Sequence, residues 1–265
     1  MDSGTSILRA AQVRSDFVAE TTLEAVAQLV HDHGLPQQVT VDRDPRFVGS
    51  AAQRDFPSAF LRCWLCRGVQ VEGCLPHHPQ QHGFVERYHR TLKQECLPVD
   101  QPQTEDPVRT ITSHFQRFYT EARPHQGLSC QNQPPRSAFP TLPTLPAVPA
   151  EIDPDRWRTA LHGRSSTRRV NANGTVSVAE TPYYIRQTLR GQDVRLEIDA
   201  AAGEFVVYHQ QQAIKRLPVR GLVGQRLAFS PWMEQLVQEA RRDERRRWQD
   251  RRRRQAGTSP ADTRC

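Results

Sequence analysis

A chain of 265 residues has room for one large or two modest domains and enough length to bury a real core. Apolar content is only 37%, and the 20 prolines point to extended connections. No run of eighteen apolar residues and no signal-peptide pattern is present. A membrane-spanning helix is therefore excluded, and a cytosolic or nucleoid protein is expected. In that setting the six cysteines (63, 66, 74, 96, 130 and 265) read as thiols rather than disulfides. The net charge of +7 is uneven. Between positions 241 and 254 nine arginines face Asp243, Glu244 and Asp250, a net of +6 that leaves +1 for the other 251 residues. Such a tail reads as a solvated charged helix or as a partner for a polyanion such as DNA, whose counterions it would release.

Taken in order, residues 1–5 form a turn entering an expected strand over 7–13. Residues 20–33 carry Leu23, Val26, Ala27 and Val30 on one helical face, with Gly34 as the C-terminal stop. Gln38-Val39-Thr40-Val41 is a short β-rich run that ends on Asp42. Residues 56–66 read as a buried helix with Pro57 near its start, and 68–71 begin a short strand. Pro79 and Gly83 punctuate a loop, after which Val85, Tyr88, Leu92 and Cys96 recur at helical spacing and are expected to face a core. Glu86, Arg90 and Lys93 fall on another face. Alone, Glu86 reads as an exposed partner of Arg90. An Asp ending a strand and a Glu on a later helix can nevertheless converge on one divalent metal, since magnesium takes hard oxygen ligands. Residues 108–119, with Ile111, Phe115 and Phe118, form a further amphipathic helix. The alternation of strands and helices predicts an α/β domain.

Two motifs carry a resemblance. Asp42-Arg43-Asp44-Pro45-Arg46-Phe47 is followed, 44 positions after Asp42, by Glu86 within His78-Pro79-Gln80-Gln81-His82-Gly83-Phe84-Val85-Glu86-Arg87-Tyr88-His89-Arg90-Thr91-Leu92-Lys93. Together they resemble the catalytic core of the DDE integrase and transposase superfamily, the retroviral-integrase-like group, and within it the IS481-like bacterial transposases. Arg123-Pro124-His125-Gln126-Gly127-Leu128 is similar to an element that follows this core's last helix. His82 stands where an Asn is more usual.

The resemblance implies an RNase H-like core in which Asp42 matches the second catalytic Asp and Glu86 the catalytic Glu. Both would hold Mg2+ (or Mn2+), with two ions roughly 4 Å apart serving in-line displacement at phosphorus. Arg90 and Lys93 would steady the DNA backbone, with His89 a weaker candidate. The family's first catalytic Asp lies on a strand upstream of anything matched here, and neither Asp2 nor Asp16 replaces it. The expectation is a core lacking its first strand, N-terminally truncated, with impaired activity as an isolated polypeptide. Partners implied are DNA (element ends and target) and further copies of the chain in a homo-oligomer; no membrane, small-molecule substrate, nucleotide cofactor or covalent intermediate is implied.

A rival reading pairs Cys63 and Cys66 with Cys74 and His77 as a small zinc site, although Cys63 and Cys66 sit in an apolar run where free Cys is usually a buried hydrophobe. Seven prolines between 134 and 154 mark a stiff connection, with an adaptor-domain ligand as the alternative. Short β-prone runs follow at 168–170, 175–178, 183–185, 194–198, 205–208 and 213–217, with turns at Asn173-Gly174 and Ala202-Gly203. They suggest a small barrel, which resembles the SH3-like C-terminal domain of Mu-type transposases. Ser230-Pro231-Trp232 starts a helix leading into the arginine run. The expected layout is a partial catalytic core (1–133), a Pro-rich linker (134–163), a small all-β barrel (164–222) and an Arg-rich helical tail (223–265). Arg168, Arg169, Arg245, Arg246, Arg251 and Arg252 are the candidate phosphate contacts beyond the core. The alternatives to a DNA strand-transfer enzyme are a non-catalytic DNA-binding remnant and a zinc-stabilised binding module.

Overall fold

The computed structural model describes residues 1–42, 44, 47, 57–73, 83–97, 102–127, 129–178 and 181–256, without the side chains of 84, 246, 247, 250, 251 and 253–256. These divide into two compact units. The first comprises residues 1–17, 24–36 and 74–148, and the second 18–23, 37–73 and 149–265. The division therefore does not follow the linear order of the chain.

The first unit is mainly helical. Residues 7–13, expected as a strand, are irregular, because no neighbouring strand accepts or donates to them among the described residues. Side chains satisfy the backbone instead: the Gln116 amide donates to Leu8 O at 3.1 Å and Arg9 O at 3.3 Å, and His33 Nε2 lies 3.0 Å from Arg9 O. Helix α1 spans Ala19–His33 and gives its first residues to the second unit. Gly34 ends it at φ +84°, its N–H bonded to Val30 O at 2.9 Å. A Cβ at this position would meet Leu145 and Pro146 atoms at 2.8 Å, so the C-terminal stop also requires glycine for space. The Leu35 amide donates to Pro146 O at 2.8 Å, so this part of the proline-rich stretch is bonded into the first unit.

The unit's core is aromatic. Leu8, Tyr88, Leu92, Phe115 and Tyr119 are buried together, with Met1, Ala11, Cys96, Leu97 and Ile111 packed at the margin. Tyr88 lies with its ring centroid 5.4 Å from Phe115 and 5.3 Å from Tyr119, tilted and edge-on as ring quadrupoles favour. Tyr88 and Leu92 come from helix α3 (Gly83–Thr91) and the π-helical turn Leu92–Cys96 that continues it. Phe115 and Tyr119 come from α4 (Glu105–Glu121). Two expected core positions are instead on the surface, Val85 at 39% exposed and Phe118 at 47%. Each stands at the edge of its helix's apolar stripe, and the cluster is already filled by Tyr88 and Phe115 one turn away.

In the second unit, β1 (Gln38–Val41) pairs in parallel with β2 (Gln70–Gly73), Val39 against Val71. Parallel neighbours need a crossover, and α2 (Ala59–Leu65) lies in it. Ser58 caps α2 by accepting from the Leu61 amide at 3.1 Å, and six of its seven residues are buried. The β-prone runs become β4 (Ser165–Arg169), β5 (Thr175–Val178), β6 (Thr181–Tyr184), β7 (Asp193–Asp199), β8 (Glu204–His209) and β9 (Gln212–Pro218). They form an antiparallel sheet in the order β4-β7-β8-β9 and a separate β5–β6 hairpin. Along β7, Val194, Leu196 and Ile198 point to one side and are buried, the period-2 pattern of a half-covered sheet. Gly174, at φ +72°, turns β4 toward β5; a Cβ there would lie 2.6 Å from the Gln187 amide nitrogen.

Two further short elements are α5 (Pro135–Ala138) and α6 (Trp157–Ala160), and β3 (Glu151–Ile152) pairs with β10 (Leu227–Ala228). Helix α7 (Phe229–Ala256) follows. Its start is gripped by Arg67, only 4% exposed, whose guanidinium lies 5.6, 5.5 and 5.3 Å from the ring centroids of Trp64, Phe229 and Trp232. The same guanidinium donates to Cys63 Sγ and, at 3.6 Å, to Met233 Sδ. A buried cation held by three aromatic faces ties α2 to α7 in a way no apolar periodicity discloses. No described helix is long and apolar enough to cross a membrane.

Candidate catalytic carboxylates and their surroundings

Asp42 follows directly on β1 and is exposed. Its Oδ1 accepts from the Asp44 amide at 3.1 Å, a local turn that fixes the carboxylate just past the strand end. Glu86 is exposed in the first turn of α3, where the unpaired amides and the helix dipole favour a negative charge. Tyr88 and Leu92 turn the opposite side of this helix into the aromatic core, so the outward direction of Glu86 is set by what its neighbours bury. Asp42 belongs to the second unit and Glu86 to the first.

Arg90 and Lys93 are exposed on the same segment as Glu86. Partial burial, and then the charge of Lys93, lower the pKa of His89. The π-helical turn was not foreseen. The Leu97 amide bonds Leu92 O across it, and Glu95, carried on it, forms a bidentate pair with Arg123, at 2.5 and 3.0 Å. That pair holds the Glu95 carboxyl below its ordinary range and raises Arg123. It also gives the Arg123-Pro124-His125 element a physical role, because Arg123 clamps the end of the Glu86 helix from outside. His125 serves it from inside. It is buried, its Nε2 lies 3.1 Å from Tyr119 O, and burial lowers its pKa, with the charges of Arg123 and Arg87 adding to the effect against the Tyr119 hydrogen bond. Inserted π turns are frequent beside functional residues, but their sequence signal is nil.

Asp2 is engaged elsewhere. Its Oδ1 accepts from the Gly4 and Thr5 amides at 3.1 and 3.0 Å, and its Oδ2 lies 3.4 Å from Arg9 Nη2. Burial raises its pKa, but the Thr5 hydrogen bonds and Arg9 outweigh this and leave it lowered. Among the described residues no group of three or more His, Cys, Asp or Glu is arranged to hold a metal ion. Cys63 and Cys66 are buried free thiols, pushed up by burial to about 11 and about 12. Cys63 accepts from Arg67 and Cys66 Sγ donates to Pro154 O at 3.2 Å, the behaviour of core thiols. Cys74 and His77, like His78, His82 and most of the Asp42–Phe47 motif, lie outside the described residues.

Of the candidate phosphate contacts, Arg169, Arg245 and Arg252 are exposed. Arg168 is 5% exposed and its Nη1 donates to Thr167 O at 3.0 Å, because alternation along β4 turns it to the covered side of the sheet; it is not a surface contact. The side chains of Arg246 and Arg251 lie outside the described residues.

Taken together, a mixed α/β protein with strand-end and helix-borne carboxylates and an adjoining Arg-Pro-His element is what the geometry defines. Residues 67–135 match the integrase core domain family. Among solved structures the chain is similar to the catalytic core domain of BIV integrase, at 23% identity over 51% of this chain and 78% of that one, with a TM-score of 0.38. It is also similar to a chain of the simian T-cell lymphotropic virus intasome in complex with PP2A regulatory subunit B56 gamma, at 13% identity over 80% of this chain and 66% of that one, again with a TM-score of 0.38. Overlaps this loose carry no correspondence between residues.

Proposed function

We propose that the chain takes part in DNA transposition or integration by metal-dependent phosphodiester cleavage and strand transfer, with Asp42 and Glu86 as catalytic carboxylates. The observation that carries this reading is Glu86 itself, exposed at the head of a helix inside the integrase core segment. Both carboxylates are hard oxygen donors of the kind Mg2+ or Mn2+ takes. Bound there, the ion would activate a water or a 3′-hydroxyl and offset charge developing at phosphorus. What the chain's own residues do is simpler. Asp42 and Glu86 would hold the cation, Arg90 and Lys93 would bind backbone phosphates, and the aromatic core beneath α3 would keep the glutamate from wandering.

Only two acidic positions match the family's set, and Asp2 is engaged in its own turn. Cleavage by this polypeptide alone is therefore proposed to be impaired. The six strands of 165–218 would form a small SH3-like barrel that, with the basic helix, holds DNA. The chain would act as a homo-oligomer in the bacterial cytoplasm, associated with the nucleoid.

The test is cleavage of a labelled duplex carrying an element end, with Mg2+ or Mn2+, by the purified chain and its Asp42→Asn and Glu86→Gln variants. Each substitution is expected to lower cleavage by at least about a hundredfold while leaving duplex affinity within about twofold of the parent. Cleavage that survives both substitutions would sink the site assignment. DNA binding without cleavage in any of the three proteins would favour the non-catalytic remnant.

A further inference from the structure

Helix α7 changes character along its length. Trp232, Met233, Leu236 and Ala240 are buried, Arg62 pairs with Glu239, Arg241 pairs with Glu20, and the Ala19 amide donates to Glu244 at 3.4 Å. Past these anchors Arg245, Trp248, Gln249 and Arg252 are exposed, Trp248 at 52%. At 100° per residue Arg245, Trp248 and Arg252 fall within an arc of about 60° on one side of the helix, spread over about 10 Å of its axis. The Arg252 guanidinium lies 4.5 Å from the Trp248 ring centroid.

A large indole left this open is poorly explained by folding, since aromatic rings are held inside for the area they bury. A charged stretch needing only solubility has no use for it. A flat ring flanked by fixed cations suits a ligand that presents both a π face and a regular line of negative charge. Duplex DNA offers the charges but keeps its base faces stacked. Unpaired DNA offers both, and aromatic platforms with arginines are how such strands are held without sequence preference. An acidic protein surface would satisfy the arginines and leave the indole unused.

We infer that Arg245, Trp248 and Arg252 form a contact strip for unpaired DNA, the guanidiniums meeting neighbouring phosphates and the indole stacking on one base. This rests on the strand-transfer reading, because breaking and rejoining strands exposes unpaired ends next to the duplex. The anchors on Glu20, Arg62 and the Arg67 cage would hold the strip at a fixed place on its unit.

The experiment compares binding of the full chain to a labelled single strand of about 20 nucleotides and to the matching duplex, by fluorescence anisotropy at several salt concentrations. W248A is expected to weaken the single strand by about tenfold and the duplex by less than about twofold, while W248F keeps the single-strand affinity within about threefold of the parent. R252Q should lower the salt slope on the single strand by about one. Unchanged far-UV circular dichroism shows that α7 still forms. Equal losses on the two DNAs, or no loss on the single strand, overturn the inference and leave the strand-transfer reading standing. A chain that binds neither DNA overturns both.

Discussion

The two compact units solve the same problem with different materials. The first closes around three aromatic rings, Tyr88, Phe115 and Tyr119, contributed by two helices. The second, in its sheet region, fills its interior with valine, leucine and isoleucine at alternating strand positions, plus Tyr183 and Phe205 edge to face at 5.4 Å. A few large rings give a core in which each member matters greatly, and which can hold an outward carboxylate such as Glu86 at a defined angle. Many small side chains spread the same stabilisation over more positions and demand instead that the turns be right. Where a change hurts most should therefore differ between the units: a ring in one, a glycine in the other.

The largest effect is expected from Tyr119→Ala, which removes the ring that touches Tyr88, Phe115 and His125. A cost of about 3–5 kcal/mol is expected. All four tryptophans (64, 157, 232 and 248) belong to the second unit, so their emission follows that unit while the far-UV signal follows both. Urea titration of the variant should show an early loss of helical signal and a tryptophan transition that moves much less. Coincident transitions would show that the contrast between the units is not energetic. Next comes Gly174→Ala. Its positive φ and the 2.6 Å approach to the Gln187 amide nitrogen should cost about 1–3 kcal/mol, read in the tryptophan transition.

The same contrast explains what could be read in the amino-acid order. In the second unit each β-prone run became a strand with bounds shifted by no more than three residues, because a half-covered sheet writes its period directly into the chain and Gly174 and Gly203 mark the turns. In the first unit the helices were legible but their edges were not. Val85 and Phe118 fit the period and still lie outside, since which residues close a stripe depends on the partner helix. The strand expected over 7–13 failed for a related reason: strands exist by pairing, and here the side chains of Gln116 and His33 took the carbonyls. For the candidate site, the local settings of Asp42 and Glu86 followed from the strand-end and helix-start signals. The π turn and the Glu95–Arg123 clamp did not, because they arise from the meeting of residues far apart in sequence.

A smaller effect is a loss of stability in mild acid, assigned to His125. Its folded pKa is lowered, first by burial and further by Arg123 and Arg87, so the folded state binds this proton less readily than the unfolded chain does. The unfolded chain takes up the extra proton below the ordinary histidine value of about 6.5, so stability is full above that pH and falls as pH drops through it. His89 is shifted in the same direction and adds to the slope. His125→Gln keeps a group that can donate toward Tyr119 O without titrating. Its urea midpoint in the far-UV signal should vary less with pH between about 7 and 5 than that of the parent. An equally steep dependence would move the cause to another group.

The smallest effect tests the outer clamp against the inner one. Arg123 and Glu95 face solvent, with side chains 32% and 50% exposed, so water and salt screen their attraction despite the bidentate geometry. Arg123→Gln should cost no more than about 1 kcal/mol, and less at high salt. Its consequence for cleavage is expected to be larger than for stability, because the pair fixes the far end of the helix that carries Glu86, and the displacement of one reacting group by a fraction of an ångström costs rate before it costs folding. The measurement is therefore paired: urea midpoint and cleavage rate on the same preparation, at low and high salt. A variant that loses stability and rate in proportion would reduce the clamp to an ordinary surface ion pair. One that keeps its midpoint while its rate falls would show that the helix carrying Glu86 is steered from its outer end as well as from the aromatic core beneath it.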